Sequence, residues 1–212
     1  MEQAIEAFLD AFPTIRCRPT ALGVVSLAGR FPFSAKSEEY PHLTDEYRIR
    51  IDITEPLDRG LPLIYETAGR IPQLAEYHVN PGGSLCLGSL LRVRLALGAE
   101  LTLCRFVEKC LVPFLYTQSL REKGIARFPF GELAHGSPGL IDDYLQIFGV
   151  SDRNILRALM ELMSFDRGTA DEHPCPCGCG RKFADCQLYT HAHKAVGTLT
   201  AFDLRCAYEE IW

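Results

Sequence analysis

Ile5, Phe8, Leu9 and Phe12 recur at helical spacing while Glu2, Glu6 and Asp10 fill the other positions, so residues 2–12 predict an amphipathic helix that Pro13 closes. The period then shortens. Residues 21–27 and 47–54 are rich in β-branched side chains, and the second stretch alternates Tyr-Arg-Ile-Arg-Ile-Asp-Ile as a half-buried strand should. Residues 61–66 form a third candidate strand. Periodicity dissolves between 70 and 90, where Pro72, Pro81, Gly82, Gly83 and Gly88 define an irregular loop. Leu103, Phe106, Val107, Cys110 and Leu111 restore a helical period over 102–119. A Gly- and Pro-rich stretch at 127–139 separates this from two further helices, 140–149 and 152–164, the second capped by Ser151. Residues 168–174 read as a polar break, followed by a cysteine-rich knuckle and a final helix over 188–211.

Helix, meandering strands, loop, then helices is the order of an α+β fold, an antiparallel meander sheet with flanking helices. At 212 residues the chain suits one main domain with a small appendage, assigned here as 1–168 and 169–212. With 47% hydrophobic and 23% charged residues and no apolar run near the ~20 residues of a membrane span, the expectation is a soluble protein. Its acidic, amphipathic start lacks the features of an export signal. A net charge of −5 gives no global basic excess for nucleic acid. Nine cysteines, four of them between Cys175 and Cys186, fit metal ligation and free thiols in a reducing cytoplasm better than disulfides.

One thiol lies inside the irregular loop, in His78-Val79-Asn80-Pro81-Gly82-Gly83-Ser84-Leu85-Cys86-Leu87. Cys104 and Cys110 lie on an apolar helical stripe, and with Cys17 and Cys206 they read as core. Stripped of context, Cys86 between two leucines also reads as a small buried hydrophobe. Its context is distinctive. His78-Val79-Asn80 followed by Gly83-Ser84-Leu85-Cys86-Leu87 resembles the His-Pro-Asn and Gly-x-Ile-Cys-Leu signature of ubiquitin-conjugating enzymes, with Pro72 and Leu101-Thr102-Leu103 also in place. The resemblance covers roughly residues 1–120. Val79 stands where that family has proline, and the interval from Asn80 to Cys86 is shorter, as in bacterial relatives.

The resemblance implies the ubiquitin-conjugating fold and a thioester-forming Cys86. A thiol is both a good nucleophile and a good leaving group, so Cys86 can accept an acyl group and release it to an amine. An Asn side-chain amide such as Asn80 can donate to the oxyanion, and His78 braces the loop. Implied partners are an activating enzyme, a protein donating its C-terminal carboxylate (a ubiquitin-like protein or a nucleotidyltransferase), and an acceptor lysine. Several bacterial relatives act in antiphage operons beside a signalling nucleotidyltransferase, a cyclic-nucleotide synthase. A rival reading is a non-catalytic module of the same fold that docks a partner through the knuckle. Thiol redox chemistry is weaker, because Cys86 has no Cys-x-x-Cys partner.

Two further polar features stand out. Glu132 and His135, three residues apart between glycines, offer an imidazole that can deprotonate an incoming amine, or simply satisfy turn backbone groups. Cys175, Cys177, Cys179 and Cys186 offer soft ligands for a structural zinc. This stretch resembles the SecA-type carboxy-terminal zinc motif, from which Cys175, Cys177 and Cys186 carry over. That motif's fourth ligand falls on Gln187 here, leaving Cys179, His191 or His193 to complete the site. Arg181, Lys182 and Phe183 are expected to form a small basic and aromatic docking surface on the knuckle.

Overall fold

The computed structural model describes residues 2–20, 23–125 and 136–212. The chain divides into two compact units, residues 1–88 with 100–131 and residues 89–99 with 132–212. The boundary expected at 168 falls inside the second unit.

In the first unit, α1 (Glu2–Ala11) buries Phe8 completely, which contributes about 1.5–3 kcal/mol. The Phe8 ring lies 4.8 Å from Phe12, which stacks on Phe31 at 4.9 Å. Four strands follow: β1 (Ile15–Arg18), β2 (Val25–Ala35), β3 (Leu43–Ile53) and β4 (Leu63–Glu66). They pair antiparallel in the order β1-β2-β3-β4. This is the expected meander, with one strand more than the β-branched runs indicated. Leu27, Phe31, Tyr47, Ile49, Ile51 and Ile64 all turn to the buried face. Slipping any strand by one residue would send that row to water, so the pattern fixes the register. Gly29 sits where β1 crosses closely, since an added Cβ would collide with the Thr14 carbonyl oxygen.

The helix expected over 102–119 is interrupted. Thr102 caps α3 (Leu103–Phe106) by accepting from Arg105 N, the turn widens to a π-helical stretch over Val107–Leu111, and α4 (Val112–Glu122) continues. Pro113 explains the widening, because it has no N–H to donate and its ring crowds the preceding turn. Helix α4 packs on β2 and β3. A polar clamp joins these elements. Arg70 reaches Asp45 with two bonds, 2.9 and 2.6 Å, and Glu122 through Nε at 3.0 Å. Its guanidinium also lies 4.1 Å over the Tyr47 ring. The bonds from Arg70 hold the Asp45 carboxyl well below the usual carboxylate range. Burial pushes the Tyr47 phenol up to about 12.

The second unit is helical: α2 (Leu90–Leu97), α5 (Ser137–Phe148), α6 (Arg153–Met163), α7 (Arg167–Glu172), α8 (Gln187–Val196) and α9 (Ala201–Ile211). Leu91, Tyr144, Phe148, Leu159, Phe183 and Ala207 belong to one continuous core. Several expectations are corrected here. Asp152, not Ser151, caps α6, accepting from Asn154 N at 2.7 Å. Residues 168–174 are not a simple break, because Asp166 caps α7 by accepting from Thr169 N at 3.0 Å. The helix expected over 188–211 is two helices, since Thr200 and Asp203 form a reciprocal capping box that starts α9 afresh. Inside this core, buried Asp143 accepts from Ser89 Oγ and from Arg92 Nε at 2.7 Å. Arg94 pairs with Asp203 at 3.0 Å. Among the described residues, no helix is long and apolar enough to cross a membrane.

Candidate functional site

The loop expected at 70–90 contains a well-bonded hairpin around Cys86. The Asn80 carbonyl accepts from Gly83 N at 2.8 Å, closing a four-residue turn over Asn80-Pro81-Gly82-Gly83. Gly83 has φ +82° and Gly82 has no positive φ, the order of a type I turn followed by a left-handed residue. Val79 and Leu85 pair across the hairpin, Asn80 N donates to Ser84 O, and Cys86 N donates to His78 O, both at 2.8 Å. The returning arm then docks on the sheet. Ser84 bridges Tyr65, and Leu85 N donates to Ile64 O at 2.7 Å. Cys86 therefore stands one residue beyond a short stretch paired alongside β4, half-buried, between a buried Leu85 and a half-buried Leu87.

The near arm is braced by α4. Gln118, itself buried, donates from Nε2 to the Tyr77 carbonyl at 2.9 Å, and the Arg121 guanidinium lies 3.6 Å over the Tyr77 ring. His78 follows in the left-handed conformation with φ 54°, the one non-glycine residue there among the described residues. That conformation costs a side-chain-bearing residue about 1–2 kcal/mol. The Asn80 side chain makes no hydrogen bond to the sulfur among the described residues. Its Nδ2 donates to Ser84 Oγ at 3.0 Å, leaving its second N–H to spare. Among the described residues no hydrogen bond is made to Cys86 Sγ. Glu132 and His135 lie outside the described residues. Ser84 and Gln118 were not anticipated as parts of the site. Ser84 was visible inside the signature, whereas only the fold places Gln118 beside Tyr77.

The remaining thiols differ. Burial raises Cys110 to about 11 and also raises Cys104 and Cys206, as suits packing groups. Cys17 is exposed, against expectation, because β1 is an edge strand and only Ile15 on it is covered.

In the second unit the four knuckle sulfurs lie within 4.8 Å of one another. Cys175–Cys177 is 3.2 Å, Cys177–Cys186 3.6 Å and Cys179–Cys186 3.7 Å. A tetrahedron with metal–sulfur bonds of about 2.3 Å has sulfur–sulfur edges of roughly 3.8 Å, so the donor set is compatible with zinc. The backbone is shaped for this. Pro174 bridges Lys182, Cys175 N donates to Arg181 O at 2.8 Å, and Gly178 and Gly180 take positive φ on either side of Cys179. Cys186 caps α8, its sulfur accepting from Leu188 N at 3.4 Å. The Arg181 backbone N–H holds the Cys179 thiol down, to about 6, while burial pushes Cys175 up.

Among the described residues Cys179 joins the metal-capable cluster and neither histidine does. His191 packs over Gly149, and His193 lies 4.2 Å from Tyr189 in an aromatic group where burial lowers its pKa. Phe183 is corrected as well. It is fully buried, 5.1 Å from Tyr189, and so is absent from the docking surface expected of it. The knuckle is thus continuous with the core of α5, α6, α8 and α9 rather than a detached appendage. Comparison with protein-family models, curated proteins and solved structures found no match.

Proposed function

We propose that the chain is a ubiquitin-conjugating-enzyme-like transferase with Cys86 as its nucleophile. The observation that carries this reading is the main-chain anchoring of Cys86. The hairpin is tied to β4 through Leu85 N and to its own first arm through Cys86 N, while no described group holds the sulfur. A thiol fixed through its backbone and free at its side chain is arranged to attack an external acyl carbon. In the first step the Cys86 thiolate adds to the thioester carbonyl carbon of a protein C-terminus carried on the activating enzyme's cysteine. That enzyme's thiolate leaves. In the second step an acceptor lysine amine, deprotonated, attacks the Cys86 thioester, the Cys86 thiolate departs, and the nitrogen loses its remaining extra proton to a base.

Asn80 is the proposed oxyanion donor, through the N–H not engaged by Ser84. Cys175, Cys177, Cys179 and Cys186 would hold a structural zinc, which would clasp the knuckle rather than act in the transfer. A reducing cytoplasm is the setting in which zinc-held thiols and a free nucleophile coexist. The donated C-terminus belongs to a ubiquitin-like protein or to a nucleotidyltransferase of a bacterial antiphage system. The test is adduct formation with activating enzyme and donor protein. Cys86→Ala should abolish a thiol-labile adduct, and Cys86→Ser should convert it to a thiol-resistant ester. An adduct persisting in the alanine variant refutes the assignment.

A further inference from the structure

The water-facing side of the sheet carries a concentration of arginine that the chain's overall charge of −5 does not suggest. The register defines it row by row. Arg16, Ala28, Arg50 and Tyr65 stand side by side across the four strands, and Arg18, Ser26, Asp52 and Leu63 form the next row. Two residues further along, on the same face, Arg30 and Arg48 are direct cross-strand partners. Arg16, Arg18, Arg30 and Arg48 are exposed and Arg50 is half-buried. Against these five cations the same rows hold Asp52, 3.0 Å from Arg50, and the neighbouring Glu46, 3.7 Å from Arg30. Among the described residues Arg16, Arg18 and Arg48 have no carboxylate partner.

Folding alone does not account for this placement. Charged residues on β1 protect an exposed edge from pairing with other strands, which explains Arg16 and Arg18. Arg30 and Arg48 sit on the interior strands β2 and β3, where no edge needs protection. Like charges directly opposite each other in an antiparallel pair oppose folding. A ligand anion shared between them reverses the sign of that interaction, and guanidinium groups suit carboxylates because they bind them with paired, parallel hydrogen bonds. Between Arg16 and Arg50 stands only the small side chain of Ala28, which leaves room for an occupant lying along this face. Alternate residues on one strand are about 6.8 Å apart, which is also the same-face spacing of an extended peptide.

From these features we infer that the arginine face of the sheet binds an extended acidic polypeptide segment, with carboxylates at alternate positions meeting Arg30, Arg48 and Arg50. A single-stranded nucleic acid is the lesser fit. It needs an open aromatic platform for stacking, and the Tyr65 ring on this face is already covered by Arg50 at 4.1 Å.

The experiment uses the full chain and a fluorescein-labelled ten-residue peptide alternating glutamate with threonine, followed by fluorescence anisotropy at low salt. The expected result is saturable binding that weakens as salt rises, falls at least tenfold in R30Q/R48Q, and is partly retained in R30K/R48K. The thermal midpoint of R30Q/R48Q should stay close to that of the wild type, because relief of the like-charge pair offsets loss of the exposed Arg30–Glu46 pair. Three results overturn the inference: no binding by the wild type, wild-type affinity in R30Q/R48Q, or displacement of the peptide by a ten-nucleotide oligothymidine at a lower concentration than unlabelled peptide.

Discussion

The hairpin that presents Cys86 turns on two adjacent glycines with different duties, and this gives an internally controlled prediction. Gly83 has φ +82°, whereas Gly82 lacks a positive φ and has open space where a Cβ would go. A Cβ on Gly83 would approach Gln73 Oε1 to 3.0 Å, but that atom is the end of a side chain and can swing aside. Sterics therefore contribute little and conformation decides. Replacing either glycine by alanine stiffens the unfolded chain equally, by about 0.4–1 kcal/mol in favour of folding. Only Gly83→Ala incurs the left-handed cost of about 1–2 kcal/mol. The unfolded-state contribution cancels between the two variants, so G83A should be less stable than G82A by about 1–2 kcal/mol, with G82A at or slightly above wild type. Urea denaturation measures this difference. The consequence should reach the sulfur, because Asn80 N, Cys86 N and Leu85 N are all bonded through this hairpin. Iodoacetamide should label Cys86 faster in G83A than in G82A, by up to about 5–30-fold where labelling runs through the opened hairpin. Equal urea midpoints for the two variants would refute the assigned turn geometry.

Two other predictions follow from the polar clamp and the knuckle. Asp45→Asn should cost about 1–2 kcal/mol at pH 7, since Asp45 and Arg70 are mostly but not wholly buried and Glu122 still faces Arg70. Because the folded Asp45 carboxyl lies below its ordinary value, its contribution is complete above about pH 4 and lost as pH falls further. The variant should therefore show a shallower acid-induced loss of stability, and identical slopes would exclude Asp45 as its source. As isolated, the protein should contain one zinc per chain, and cobalt substitution should give the absorption of a tetrahedral thiolate site. Chelation should lower the thermal midpoint by roughly 8–16 °C, on the basis of about 4 kcal/mol of linkage at a thousandfold excess over Kd. Metal-free protein with an unchanged midpoint would show that the thiols hold the knuckle without an ion.

What the sequence made legible follows from how strongly local pattern and tertiary environment agree. The alternation Tyr47 to Ile53 was readable because β3 is covered on one face only, and the helix of residues 2–12 because Phe8 and Phe12 share one face. Helix α2 escaped because it buries Leu91, Val93, Arg94 and Leu97 on several sides, including an arginine held by Asp203, so no polar stripe marks it. Strand β1 is only four residues between Pro13 and Pro19, too short to establish a period. The hairpin at Cys86 was read as irregular for a different reason. Its Pro-Gly-Gly run is a loop signal and equally the signal of a type I turn with a left-handed fourth residue, and only pairing with Ile64 decides between them. The knuckle shows the same limit. Four thiols at short spacing announced a metal-capable cluster, but Phe183 looked like surface beside Arg181 and Lys182 and instead belongs, with Cys175 and Cys186, to the helical core. Local chemistry was visible in the sequence, and the partners that decide its use lie elsewhere in the chain, as Ile64 does for Leu85 and Asp203 for Arg94.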